Sequence, residues 1–377
     1  MATSFKDLER FLDTVPDLGV SGIDCIIYQD HREIFRYAAG YSDIENRKPV
    51  LQNALYNIYS ATKIITCAAA MQLVESGRLL LTDPLHTYLP EFKDMKVKLG
   101  TFAIMPAKNP IRIIDLFAMT AGLSYELDTP EMRKLTEETG GDFDTREFVK
   151  ALAREPLLFE PGDRWNYSYC HDVLGAVIEV VSGMSFGQYL KQNIFDPLGM
   201  ADTFFTVPED KKARLAPQYE YDHDTQSAKR ISGDCIGAAG TRHESGGGGL
   251  ITSVADYIRF ADALACDGLS ADGERILSQR AIGLMGKNQL DETQLQDFRG
   301  MGYSSGMGYG LGVAMVTDSA AACCLTPETA FFWGGIGGVQ VLIDPGSRLS
   351  LFAAQHVIGC PKDRIKPQIR SILYASI

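Results

Sequence analysis

The stretch from Ile58 to Val74 constrains this chain more than any other. It reads IYSATKIITCAAAMQLV and carries one charge, Lys63. Ile64, Ile65, Ala68, Ala69, Met71 and Val74 cover most of a helical wheel, which predicts a helix buried on nearly every side. Ser60 is a good N-cap type and Gly77 a good residue to follow the C-terminus. Lys63 then lies one turn from Ser60 on the same face. A buried ammonium without partners costs several kcal/mol by order of magnitude, or sheds its proton. Lys63 either snorkels to the surface while Ser60 merely caps, or the pair is a Ser-x-x-Lys arrangement, with a serine nucleophile beside a basic lysine. The chain holds one such motif, about the number expected by chance at its length, so the motif needs company.

With 36 basic and 48 acidic residues the formal charge is −12, which argues against a nucleic-acid partner. The start, MATSFKDLERFLDTV, reads as an amphipathic surface helix without the basic opening and apolar run of a secretory signal. No apolar window is long enough to span a membrane. The eight cysteines (25, 67, 170, 235, 266, 323, 324 and 360) form no C-x-x-C pair, so neither a metal site nor a disulfide framework is indicated, and a cytoplasmic location is expected.

Residues 22–29 and 32–40 read as a β-hairpin around Asp30-His31. Helices are expected over 112–119, 145–154, 169–182 and 185–193, and after a cap at Thr252 or Ser253. The run Gly246–Gly249 reads as a tight backbone passage. Strands are expected over 310–318, 329–335, 338–346 and 348–356, before a helix over 361–375. Strands at both ends with a helical middle predict an α/β chain of the α+β kind: one antiparallel sheet built from both termini, flanked by helices, with an inserted helical subdomain. The expected division is 1–80 with 225–377 for the sheet domain and 81–224 for the helical one.

Two further pieces matter. Tyr167 sits in a loop between Pro161-Gly162 and a helix, where alone it reads as a half-buried tyrosine bonded to backbone. Phe332-Trp-Gly-Gly-Ile-Gly337 closes a strand with glycines that let another backbone, or a ligand, come close. In this order the pieces resemble the penicillin-recognising serine hydrolases, and more closely the family VIII carboxylesterases that share the class C β-lactamase fold. The likeness also takes in Leu79–Leu85, Thr120–Tyr125, Glu160–Tyr167, Phe195–Met200 and Gly246–Leu250. It implies a β-lactamase/transpeptidase-like fold, Ser60 as nucleophile, Lys63 as its activating lysine and Tyr167 as general base. It also implies an oxyanion hole from the Ser60 and Ile336 amides, and a substrate strand at Trp333, Gly334 and Gly335. Penicillin-binding members carry Lys-Thr-Gly there, and members of the family often place Asn where this chain has Tyr169.

The chemistry is coherent from the residues as well. A serine opening a helix feels roughly half a positive charge, which favours a developing alkoxide. A Lys63 ammonium stabilises a phenolate at Tyr167, while desolvation is expected to lower the lysine pKa, so that the two share one proton. The expected activity is cleavage of short-chain carboxylic esters through an acyl-enzyme on Ser60, with a small-molecule ester or amide as partner and neither cofactor nor metal. β-Lactamase, D-amino-acid amidase or peptidase, and acyltransferase action stay open on the same residues. A rival exists in Gly302-Tyr-Ser-Ser-Gly306, with Asp344 and His356 following in α/β-hydrolase order, but Ser304 lacks the strand-to-helix context of a nucleophile elbow. His243-Glu244 has no second histidine at zincin spacing. A ligand-binding protein without turnover is the remaining alternative.

Overall fold

The computed structural model describes residues 4–100, 103–231 and 242–377. Cys235 and the first three residues of the expected N-terminal helix lie outside them. The rest of that helix is α1 (Lys6–Thr14), with Leu8 and Leu12 buried.

The hairpin forms where expected. β1 (Gly22–Gln29) and β2 (Arg32–Asp43) pair around Asp30 and His31, both at positive φ (48° and 63°), the tight two-residue turn that matches the twist of its strands. With β3 (Lys48–Pro49), β4 (Met307–Tyr309), β5 (Ala314–Val316), β6 (Phe331–Gly334), β7 (Gln340–Asp344) and β8 (Leu349–Ala354) they build one antiparallel sheet. Its order is β4-β5-β6-β7-β8-β1-β2-β3, so the amino-terminal hairpin docks on the carboxy-terminal meander through β1 and β8. Of the strand expected over 310–318 only Ala314–Val316 (β5) forms, and β4 lies just before that range. Gly312 turns there at φ 82°, and a side chain on it would meet Cys67 Sγ at 2.3 Å.

α2 (Thr62–Glu75) is buried along most of its length and packs on α3 (Cys170–Ser182). α4 (Val254–Ala265), capped by Ser253, lies across β1 and β8. The element expected over 185–193 is helical only at Phe186–Leu190 and then widens into a π turn at Lys191–Phe195. The last helix, α5 (Lys362–Ser376), closes the chain. Among the described residues no single helix is long and apolar enough to cross a membrane.

The joint between α4 and the sheet is aromatic: Tyr257 stacks on Phe352 of β8 with centroids 4.4 Å apart and planes 16° apart, both rings fully buried. Phe352→Ala should therefore destabilise the protein by about 3–5 kcal/mol, read as a lowered urea midpoint. A loss below about 1 kcal/mol would mean that this layer does not hold the two termini together.

Candidate active site

The short strand Leu55–Asn57, paired with Ile251–Ser253, delivers the chain to Ser60. Ile58 N–H donates to the Leu250 carbonyl and Ala61 N–H to the Ile58 carbonyl, each at 3.1 Å. Between them Tyr59 is forced to φ 48°, a conformation costing about 1–3 kcal/mol in a residue with a side chain. It is held from two sides. Its hydroxyl donates to Gln218 Oε1 at 2.6 Å, and the turn after β6 presses on it. A Cβ on Gly335 would come 2.3 Å from the Ile58 carbonyl oxygen, and one on Gly337 2.8 Å from Tyr59 Cε2. Only glycine fits at this contact, which sets Ile336, 46% exposed, beside the nucleophile turn.

Ser60 occupies a 3₁₀ turn, Tyr59–Ala61, that runs into α2. The expectation that it caps the helix is corrected: its side chain makes no capping bond. Its oxygen is taken up differently. Tyr167 donates to Ser60 Oγ at 2.6 Å and Lys63 Nζ at 3.4 Å. Lys63 is 0% exposed, which disposes of snorkelling. Its ammonium also donates to the Gly247 carbonyl at 2.5 Å and to Tyr125 Oη at 3.3 Å, and lies 4.6 Å from the Tyr167 ring centroid. Burial pulls the lysine down, but Tyr125, Tyr167 and Asp172 together outweigh it and hold Lys63 above its ordinary value. The net effect is thus opposite to the expected lowering.

Tyr125 and Asp172 complete the surroundings. Tyr125 stacks on Tyr167 (5.3 Å, 10°) and lies tilted against Tyr169 (4.4 Å, 30°), and burial raises its phenol to about 12. Tyr169, where Asn is common in the family, thus buttresses Tyr125. Asp172 lies fully buried in the first turn of α3. Burial would raise its carboxyl, yet His243, Lys63 and Ser245 bring it below its ordinary value. Ser245 donates to Asp172 Oδ1 at 2.6 Å, and a Cβ on Gly247 would meet Oδ2 at 2.4 Å. The glycine passage is thereby clamped so that the Gly247 carbonyl faces Lys63. Neither residue was singled out from sequence. The signal for Asp172 was a charge inside a helix as apolar as α2; Tyr125 lay in the Thr120–Tyr125 segment without a stated role.

Trp333 is 7% exposed, its ring packed against Tyr167 (5.7 Å), Tyr303 (6.0 Å) and Tyr309 (5.3 Å). It backs Tyr167 and shows little face to solvent. The Ser304 reading fails on geometry. Ser304 Oγ is buried without a hydrogen-bond partner, Asp344 accepts from Thr329 and Tyr374, and His356 faces Asn57 and the Pro217 carbonyl. Those three side chains do not meet. His243 reaches Asp172, and Glu244 accepts from the Gly187 amide. One group of metal-competent donors occurs among the described residues, His31, Asp262 and Cys266, where His31 Nδ1 and Asp262 Oδ2 are 2.8 Å apart and tie the hairpin to α4.

Residues 8–356 match the family model described as Beta-lactamase. The chain belongs to that family. Protein Rv1367c of Mycobacterium tuberculosis is 33% identical, over 92% of this chain and 88% of the relative. Esterase EstB of Burkholderia gladioli is 28% identical over 88% and 84%. The solved structure of EstCE1, a hydrolase with promiscuous acyltransferase activity, superposes with a TM-score of 0.82 at 26% identity and covers 98% of both chains. These likenesses make the protein a serine hydrolase with the expected β-lactamase/transpeptidase-like fold.

The Asp172 carboxylate is one of the groups that hold Lys63 protonated, so the ammonium persists through neutral pH and is lost only on the alkaline side. In Asp172→Asn that proton should leave earlier. The alkaline limb of kcat/KM for an activated ester should move to lower pH, with kcat at neutral pH down about tenfold and KM little changed. A loss of activity without movement of the limb would reduce Asp172 to a structural role.

Proposed function

We propose that this hydrolase is a carboxylesterase for short-chain esters, working through an acyl-enzyme on Ser60. The observation that carries the reading is the 2.6 Å approach of Tyr167 Oη to Ser60 Oγ beside a wholly buried ammonium. With Tyr167 as phenolate, stabilised by Lys63, the Ser60 proton passes to it as Oγ attacks the ester carbonyl carbon. The Ser60 and Ile336 amides receive the oxyanion. Collapse breaks the bond to the alcohol oxygen, which leaves with the proton from Tyr167. Water, deprotonated by the same phenolate, then attacks the acyl carbon; the bond to Ser60 Oγ breaks, Oγ takes the proton back from Tyr167, and the acid is freed. An alcohol in place of water gives acyl transfer, the promiscuous activity of EstCE1.

Three things support esters over β-lactams. Trp333 stands where penicillin-binding relatives carry a lysine for the substrate carboxylate. An ester expels its alcohol with less help than an amide its amine. EstB, an esterase, is among the relatives. Scattered thiols, Cys25, Cys67, Cys170, Cys266 and Cys360 among them, all buried and free, suit a reducing cytoplasm.

A fluorophosphonate should add its mass to the peptide holding Ser60, and an adduct on the Ser304 peptide would sink the assignment. Lys63→Ala and Tyr167→Phe should each lose about 10²–10⁴ in kcat. The double variant should be little worse than either, because residues acting as a unit are not additive; fully multiplicative losses would contradict the shared base. In a p-nitrophenyl ester series run beside a chromogenic cephalosporin, kcat/KM should be highest for acetyl to butyryl esters. Cephalosporin turnover equal to the best ester would move the protein to the β-lactamases.

A further inference from the structure

Away from the nucleophile, three side chains of metal-ligating types meet where the hairpin turn touches the end of α4. Asp262 lies in the last turn of α4, and Cys266 follows as the residue that ends the helix. A spacing of four puts carboxylate and thiol on one face. His31 reaches them from the turn between β1 and β2, 231 residues away in sequence. Its Nδ1 is 2.8 Å from Asp262 Oδ2, and its backbone N–H donates to Asp262 Oδ1 at 3.3 Å. The Cys266 thiol donates to the same Oδ1 at 3.7 Å. The three ligand atoms all fall within 4.8 Å of one another.

The electrostatics favour a cation here. Asp262 and Cys266 are both buried, and the thiol is free. Among the described residues no lysine or arginine pairs with the Asp262 carboxylate. Arg348, whose field reaches Cys266, bridges Asp30 and Asp267 instead. A buried carboxylate bonded to an imidazole and a thiol leaves negative charge for a cation to answer. The His31 side chain is 24% exposed, which supplies the entry that the buried pair lacks.

The backbone holds the set in place. His31 keeps φ 63°, a left-handed conformation, in a turn type that prefers Asn and Gly. Asp30 beside it donates its N–H to the Arg348 carbonyl at 3.0 Å, and the Cys266 amide donates to the Asp262 carbonyl at 2.8 Å. The cysteine spacing gave no hint of this cluster, because its ligands come from two distant segments.

We propose that His31, Asp262 and Cys266 form a binding site for a divalent transition cation, zinc above all, with water as the fourth ligand. Thiolate, imidazole and carboxylate together suit zinc, whereas calcium and magnesium take oxygen. Tetrahedral zinc, with bonds of about 2.0–2.3 Å, sets its ligand atoms about 3.2–3.7 Å apart, so the cluster closes on an ion with shifts of about 1 Å. Binding takes His31 as the Nε2–H tautomer and releases the Cys266 proton to solvent. One thiolate and one carboxylate then neutralise the dication. The site is remote from the chemistry: Ser253 at the start of α4 pairs with Leu55, close to Ser60, and the 12 residues of α4 span about 18 Å. The ion therefore clamps the hairpin to the helix and takes no part in turnover.

The test uses the full chain, reduced and stripped with chelator, with zinc and cobalt(II) as probes. Cobalt should give thiolate-to-metal absorption in the near ultraviolet at one ion per chain, displaced by zinc, and zinc should raise Tm. Cys266→Ser should abolish that absorption, and His31→Gln should weaken zinc binding by more than the about 10–100-fold that loss of a supporting group costs. The shift in Tm is read between zinc-free and zinc-loaded samples of each variant, so a substitution that lowers stability by itself does not mimic the result. His31→Cys, at the exposed position, should keep the ion and strengthen the absorption. Absorption that persists in Cys266→Ser would place the ion on other thiols, such as Cys323 and Cys324, and overturn the proposal. So would a zinc-dependent rise in Tm that both variants retain, no binding by the wild type, or His31→Cys without added absorption.

Discussion

An ammonium with no exposure to water is costly by several kcal/mol unless its field is answered from all sides, and much of this structure answers the field of Lys63. The Gly247 carbonyl takes its closest hydrogen bond, and Tyr125 and Ser60 oxygens take two more. Asp172 supplies the balancing charge. Each partner arrives from a different part of the chain. Tyr125 follows the helix Ile113–Phe117, Asp172 opens α3, and Gly247 lies in the passage before α4. Meeting that demand brings helical middle and terminal sheet to a common point, and Ser60 stands at it.

The second constraint is close packing by glycine. Gly335 and Gly337 let the end of β6 press on Tyr59, and Gly246 and Gly247 let the passage slide between His171, Thr66 and Asp172. Any side chain at these positions would meet backbone, the Tyr59 ring or a buried carboxylate at under 3 Å. The strain at Tyr59 is sustained by these contacts, in the manner of functional turns held by their surroundings. The same economy of volume at Gly334 leaves room for Lys366. The two faces of β6 are thereby divided: Trp333 faces an aromatic cluster behind Tyr167, whereas Phe332 and Gly334 face Arg370 and Lys366 of α5.

Much of this was legible in the residues. The apolar run with one lysine located α2, Asp30-His31 located the hairpin, and short-period patterns located β6, β7 and β8. Ser60, Lys63 and Tyr167 were named as a set, and the structure brings them within hydrogen-bonding reach through Ser60 Oγ. The strand expected over 310–318 came out shorter, as Ala314–Val316, because a glycine turn at Gly312 inside an apolar run leaves its period nearly unchanged. Ser60 as a cap misled because helix-start preference and nucleophile position favour the same residue type.

Local composition therefore determined which segments are buried, where the chain turns, and that one lysine stands alone in an apolar helix. Periodicity and turn chemistry act over a few residues, and a single chain records them directly. The protonation state of Lys63 was decided only by tertiary structure, since it is a balance between desolvation and charges more than sixty residues away in sequence. So were the place of Trp333 behind Tyr167 and the meeting of His31 with Asp262 and Cys266. Electrostatic terms depend on distance and burial in space, and neither can be read from order along a chain.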